Sequence, residues 1–165
     1  MKALVAAKVA ADLDKTGVER VIDSVDEVSI QAVLDLKRKL AGVSVIVASV
    51  GPIHDRDTLR HALVMGRDEI VQVRLAPDLA HAVDSFCVSK LLRRPIILTK
   101  CDMVLLGCRS SDGSSGRAGA ALTGLLGRPS LSSVFALTEL KPDKVLASCR
   151  LGDWTISGWL PLPCA

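Results

Sequence analysis

Aromatic side chains are nearly missing from this 165-residue chain, which has two Trp, two Phe and no Tyr. A stacking platform for single-stranded nucleic acid needs several rings, so that class of function is poorly supported. A basic tract is missing too. The formal net charge is only +3, and Lys37-Arg38-Lys39 and Arg93-Arg94 read as solvated helix ends, not a nucleic-acid surface. No apolar run reaches the ~20 residues that a bilayer-spanning helix needs, because charged residues interrupt each one. The N-terminal run resembles a signal peptide only superficially: Lys8 splits its apolar part, and it reads better as a first β-strand. The five cysteines, Cys87, Cys101, Cys108, Cys149 and Cys164, are odd in number and contain no C-x-x-C pair. That pattern predicts reduced thiols in an intracellular compartment, not a disulfide frame or zinc site. Cys108, which abuts the glycine loop, is expected to be a buried, inert thiol in preference to a reactive one activated by Arg109. His54, His61 and His81 lack metal-ligand spacing, which predicts no metal site. A Walker loop is absent, and the pair Ser114-Ser115 lacks the Gly-x-Ser-x-Gly elbow of a nucleophilic hydrolase.

What the chain does have is a run of small residues between two apolar ones. Val104-Leu105-Leu106 reads as a buried strand, Gly107 to Arg117 as a loop of Gly and Ser, and the stretch after it as a short apolar helix. Gly127 and Pro129 should stop that helix. Gly113, Gly116 and Gly119 recur every third residue. Without a Cβ they let backbone N–H groups approach a ligand, and the serines between them add hydroxyl donors. A phosphate is the guest such a cradle fits. The helix N-terminus would contribute roughly half a positive charge, and Arg109 or Arg117 a full one.

The rest of the chain reads as strands alternating with helices. Residues 2–9 predict a strand covered on both faces, and residues 12–22 a polar connection. Ser24-x-x-Glu27 has the form of a capping box and predicts a helix over 25–40, with Gly42 just beyond its end. A strand at 43–50, a turn at Gly51-Pro52, a helix at 55–65 with Leu59, Ala62 and Leu63 inward, and a strand at 69–75 follow. A helix is expected over 78–92, then irregular structure over 95–100 leading into a strand at 103–106. Such βαβ units imply a parallel sheet and right-handed crossovers, hence a three-layer α/β fold in one domain over residues 1–165. After Pro129 the pattern changes: 133–139, 144–150 and 154–160 predict short strands forming an antiparallel extension of the sheet. Trp154 and Trp159, five apart in a strand, should point to opposite faces, with one of them exposed to a partner or both filling core.

The run Leu105-Leu106-Gly107, Ser110, Asp112-Gly113, Gly116, Gly119, then Leu125-Leu126, resembles the nucleotide-binding loop of the electron-transfer flavoprotein β subunit. The likeness extends along nearly the whole chain. Leu4-Val5-Ala6-x-Lys8 looks like that family's first strand, and Asp26-Glu27-x-x-Ile30-x-x-Val33-x-x-Leu36-Lys37 its following helix. Val50-Gly51-Pro52 and Leu59-Arg60-x-Ala62-Leu63-x-Met65-Gly66-x-Asp68 resemble its next landmarks, and Leu160-Pro161 to Ala165 the segment after its antiparallel strands. Departures occur at Cys108, Arg109, Ser114, Ser115 and Arg117. Asp23 and Ser24 stand where the family has Asn and Pro, and Val25 replaces an aromatic. The chain also stops where a C-terminal arm would continue, so it resembles a shortened member.

The resemblance implies a Rossmann-like sheet, kin to the adenine-nucleotide α-hydrolase fold, with strand order 3-2-1-4-5. It implies a structurally held AMP: Ala7 beside the base, Asp23, Ser24, Val25 and Asp26 at the ribose and adenine side, and Asp112, Gly113, Ser114, Ser115, Gly116, Arg117, Ala118, Gly119 and Thr123 around the phosphate. Asp112 would shape the loop more than touch the phosphate, since two like charges repel. Asp26 would align with the dipole of its helix. An α subunit would hold most of an FAD, with this chain as one wall of the flavin site in a heterodimer. Electrons would pass from acyl-CoA-type flavin dehydrogenases towards a quinone oxidoreductase, in a bacterial cytoplasm or mitochondrial matrix, and the chain itself would make no bonds. A stand-alone AMP- or ATP-binding module of the same fold is the alternative. ATP pyrophosphatases and universal-stress ATP binders fit less well: Lys8 to Asp12 lacks the Ser-Gly-Gly-x-Asp-Ser loop of the first, and Gly116-x-x-Gly119 is followed by Pro129 where the second needs Gly.

Overall fold

The computed structural model describes residues 1–11, 19–64, 66–79, 82–111 and 115–165, with backbone only for 11 and 61–64. Four strands make a parallel sheet: β1 (Lys2–Ala6), β4 (Ser44–Pro52), β5 (Glu69–Leu75) and β6 (Met103–Leu106). Their spatial order is β5-β4-β1-β6. Counted along the parallel strands this is 3-2-1-4, and Cys164 takes the fifth place as a single parallel bridge to Met103. Apolar residues on successive positions explain why β1 is central. Ala3, Leu4 and Val5 are all fully buried, which requires cover on both faces.

The alternation of the pleat sorts that cover. Ala3, Val5, Val45, Val47 and Met103 face α1 (Ser24–Lys39), meeting its Ile30, Val33 and Leu34. Leu4, Ala6, Ile46, Ala48 and Val104 face the opposite way, onto Leu92 and Ile96 of α3 (Ser85–Thr99) and Leu122 of α4 (Ala118–Leu126). These are the three layers expected. The remaining helix, α2 (Arg56–Val64), follows a 3-10 turn at Ile53–Asp55 and buries Leu59, as expected. The predicted inward Ala62 and Leu63 lie outside the described side chains.

Several local expectations give way to tertiary structure. The helix expected over 78–92 is instead α3, which begins seven residues later and runs through 95–100. Asp78 sits in a separate 3-10 turn, Pro77–Leu79, and the cap is Asp84, whose carboxylate accepts the Cys87 N–H at 2.7 Å. Pro95 lies inside the helix. An internal proline costs about 3 kcal/mol, and burying Leu92 and Ile96 against the sheet recovers roughly 1.5–3 kcal/mol each. Packing therefore overrides the local breaker. Gly51-Pro52 is no turn but the end of β4, paired with Arg74 and Leu75. A Cβ on Gly51 would stand 2.6 Å from the Asp55 carboxylate, so glycine is needed there for close approach.

The first strand also ends earlier than expected, at Ala6. The chain then turns into β2 (Val9–Ala11), which pairs antiparallel with β3 (Arg20–Ile22). The predicted polar connection is thus partly a two-stranded ribbon, and residues 12–18 of it lie outside the described residues. Arg20 pins this ribbon to the end of β4 through an ion pair with buried Asp55 at 2.6 Å.

The C-terminal strands β7 (Val134–Lys141), β8 (Lys144–Leu151) and β9 (Trp154–Pro161) bond only to one another, so the predicted extension is a separate antiparallel sheet. It joins the core by packing: Val145, with Leu137, Leu140 and Leu160 around it, enters the cluster beneath α1. No described helix is long and apolar enough to cross a membrane.

Candidate functional site: the mouth of the parallel sheet

The two connections leaving β1 and β6 diverge at the C-terminal ends of these neighbouring strands. In open α/β sheets a ligand crevice forms at such a switch point. A cleft of about 200 Å³ lies there. Its floor is Ala6, Ala7, Ala48, Val50 and Leu106, small and apolar; its far wall is Val83, Val88 and Leu92 beside the start of α3. The polar rim is Lys8, Asp26, Arg109, Ser110 and Ser115, closed by Gly116, Ala118 and Gly119 at the start of α4.

Much of the rim is held by bonds that the sequence pattern did not announce. Ser115 Oγ and Ser85 Oγ are 2.7 Å apart, tying the end of the glycine loop to the first residue of α3. The hydroxyl of buried Ser89 lies 2.9 Å from the Ala118 carbonyl and 2.7 Å from the Ser85 carbonyl, which share its single proton, so the starts of α3 and α4 are tied together. Gly116 has φ +61°, and a Cβ there would come within 3.2 Å of the Cys108 carbonyl. A non-glycine residue would meet both penalties. Among the described residues no side chain caps helix α4, whose first-turn residues Ala118 and Gly119 line the cleft. Gly119, in that first turn, is different from Gly116: its φ is ordinary and a Cβ would meet nothing within 4 Å. The fold itself does not require that glycine.

The acidic residues opposite come from the start of α1. The expected capping box is displaced by one residue, because Asp23 and not Ser24 is the cap, its Oδ1 accepting the Val25 N–H at 3.2 Å. The other oxygen of Asp23 accepts both the N–H and the hydroxyl of Ser111, at 2.6 and 2.7 Å. Asp26 does more than align with the dipole. Oδ2 accepts the Lys8 N–H at 2.8 Å and Oδ1 the Gly107 N–H at 3.0 Å, so one carboxylate joins the ends of β1 and β6. A Cβ on Gly107 would collide with this carboxylate. Burial is the largest influence on Asp26 and raises its pKa from 3.8 to about 6, against the lowering by the two backbone donors.

Of the predicted site residues, Ala7, Asp26, Ser115, Gly116, Ala118 and Gly119 line the cleft. Asp23 is buried just behind it, bonded to the loop. Ser24 is exposed, Val25 packs towards Gly107, and Arg117 and Thr123 stand outside the lining; Thr123 donates within α4 to the Gly119 carbonyl. Asp112, Gly113 and Ser114 lie outside the described residues. Cys108 corrects the expectation of a buried thiol: it is exposed and borders the cleft. Sequence reasoning missed Lys8, Ser85, Ser89 and Ser111 as parts of the site. A serine pair four apart at a helix start, as Ser85 and Ser89 are, was the one available signal for two of them.

The fold is an open, three-layer α/β architecture with a cleft at the ends of its first and fourth parallel strands. The family model described as the electron transfer flavoprotein domain matches residues 11–153, and this chain belongs to that family. It is similar to the mitochondrial electron transfer flavoprotein subunit beta of Oryza sativa subsp. japonica, 34% identical over 142 residues, 78% of this chain and 56% of the relative. The subunit beta of Sus scrofa is 31% identical over 147 residues (85% and 56%), and that of Thermoanaerobacterium thermosaccharolyticum 30% over 146 residues (88% and 54%). The chain thus spans just over half the length of these relatives.

Proposed function

We propose that this chain acts as a β-type electron-transfer flavoprotein subunit, holding AMP structurally in the cleft and forming one wall of an FAD site shared with an α subunit. The single observation that carries the nucleotide is the uncapped start of α4, with Gly116 and Gly119 bared towards a crevice at the switch point. The donor set fits an adenylate. Its phosphate would meet the amides at the start of α4 with Arg109 across the rim, and its base the apolar floor beside Ala7. The Asp112–Ser114 segment belongs to the phosphate side of this reading, and the Asp23–Asp26 turn to the nucleoside side.

Bound between the subunits, FAD would supply the redox chemistry, and acyl-CoA-type flavin dehydrogenases and a quinone oxidoreductase would be the exchange partners. This chain's own part is to bind, orient and exclude water; it carries no bond-making role. An exposed apolar end of the antiparallel sheet supports a partnered reading over a stand-alone nucleotide module. Trp154 is 76% exposed and Leu151 66%, and the pairing of Leu151 with Trp154 puts them side by side.

Co-expression with an α subunit tests the whole reading. A yellow heterodimer with a flavin absorbance spectrum is expected. A colourless preparation without α association contradicts the flavoprotein role, and if that preparation still contains AMP, the stand-alone module is left.

A further inference from the structure

We propose that Asp26 is a positioning residue whose ionised carboxylate clasps the ends of β1 and β6 together, and that AMP binding is controlled by proton uptake at this clasp. The inference rests on the AMP reading above and adds its regulation.

The geometry is specific. Asp26 spends one oxygen on Lys8 N–H and the other on Gly107 N–H, residues 18 and 81 positions away in the chain. Both amides belong to the cleft rim. Asp23, one turn earlier, holds Ser111 in the same manner, and its own N–H donates to the Lys8 carbonyl at 2.9 Å. Two neighbouring carboxylates on one helix start therefore set the positions of three strand or loop ends around the cleft.

A carboxylate accepts at both oxygens, whereas a protonated carboxyl carries a donor on one of them. After protonation either Lys8 N–H or Gly107 N–H would face an O–H, and that side of the clasp would open. Among the described residues the charged groups facing Asp26 are few. Asp23 on the same helix raises its affinity for a proton, and Lys8 opposes it. Cys108 and Arg109 border the same cleft from the β6 side, while the parts of β4, α3 and α4 that line it contribute no charged side chain. Burial already favours the neutral form, so the change falls near pH 6.

The test compares AMP affinity of the full chain and of Asp26→Asn by titration calorimetry at pH 7.5 and pH 5.5. The asparagine amide mimics the protonated acid in shape and in offering one acceptor and one donor. The phosphate of AMP also titrates near pH 6, but its protonation is common to both proteins and cancels in their ratio. At pH 7.5 the variant should bind about tenfold more weakly, the effect of one charge-assisted hydrogen bond, and at pH 5.5, where about a quarter of Asp26 is still ionised, the gap should narrow to about threefold. A gap that is the same at both pH values, or no gap at either, overturns the clasp while leaving the AMP reading intact. No AMP binding by the unmodified chain at either pH removes that reading and this inference with it. Should the variant fail to fold, the amide resonances of Lys8 and Gly107 in the unmodified protein decide: they should titrate together with a midpoint near 6, and amides that stay still overturn the proposal.

Discussion

The two sheets of this molecule treat apolar side chains in opposite ways. In the parallel sheet β1 and β4 are buried on both faces, with Leu4, Val5, Val45 and Val47 wholly covered. In the antiparallel sheet only β8 has buried side chains, Val145, Ala147 and Cys149; Leu137, Leu140 and Leu160 of its neighbours pack half-buried against the core, while Phe135, Trp154 and Ile156 on those neighbours and Leu151 at the end of β8 stay in solvent. Trp154 and Trp159 take opposite faces, as their spacing predicts, yet both are exposed, and Lys141 and Lys144 cover the Trp159 ring at 4.6 and 5.1 Å. The parallel sheet uses its apolar residues to fold and to build the cleft at its mouth. The antiparallel sheet keeps some of them outside, where burial would have to come from another molecule.

Substitutions can break or sharpen that contrast. The largest expected effect is at the centre of the parallel sheet: Leu4→Ala should destabilise the chain by about 2–5 kcal/mol in denaturant unfolding, the range for a fully buried leucine. The next is electrostatic. Because the Asp26 pKa is about 6 in the fold against an ordinary 3.8, the folded state holds more protons than the unfolded one between these values. Its contribution to stability is therefore lost as pH rises from about 4 to about 6, by an amount on the order of 3 kcal/mol. Unfolding curves of the unmodified chain and Asp26→Asn should diverge through that window, and parallel curves would show that no such cost exists. Under the clasp proposal, AMP binding and stability would then oppose each other at Asp26.

Gly116→Ala combines positive φ with a close carbonyl and should cost about 1–2 kcal/mol as well as AMP affinity. Gly119→Ala separates the two effects: with open space at its Cβ it should stabilise α4 by up to about 1 kcal/mol while still weakening AMP binding. A stabilised variant with undiminished affinity would mean that no ligand approaches there. The smallest expected effect on folding is Trp154→Ala, within about 0.5 kcal/mol for the isolated chain, because the ring touches little. The same substitution should weaken α-subunit association measured by analytical ultracentrifugation, which is where the two sheets part company.

The legible parts of the fold were those set by local periodicity. The apolar strands at 69–75 and 103–106, the first strand apart from its end, the helix of Val33 and Leu34, and the stop at Gly127 with φ +61° all follow from short-range pattern. What escaped was set at long range. Pro95 reads as a breaker until Ile96 is seen buried against the sheet, and Gly51-Pro52 reads as a turn until β5 pairs with it. The site divides in the same way. Glycines that line the cleft were visible as a spacing, but the bonds of Asp23 to Ser111 and Asp26 to Gly107 span 88 and 81 residues, and no local pattern encodes them. Cys108 reads as a buried thiol beside the glycine loop, yet β6 has ended at Leu106 and the thiol is exposed at the border of the cleft.

The central claim is that the crevice between β1 and β6 holds an adenylate. The most direct measurement is chromatographic and mass-spectrometric analysis of the supernatant after heat-denaturing protein purified without added nucleotide. Stoichiometric AMP is the expected result, depleted in Gly119→Ala; a supernatant free of any adenine nucleotide, together with no binding of added AMP to the folded chain, would contradict it.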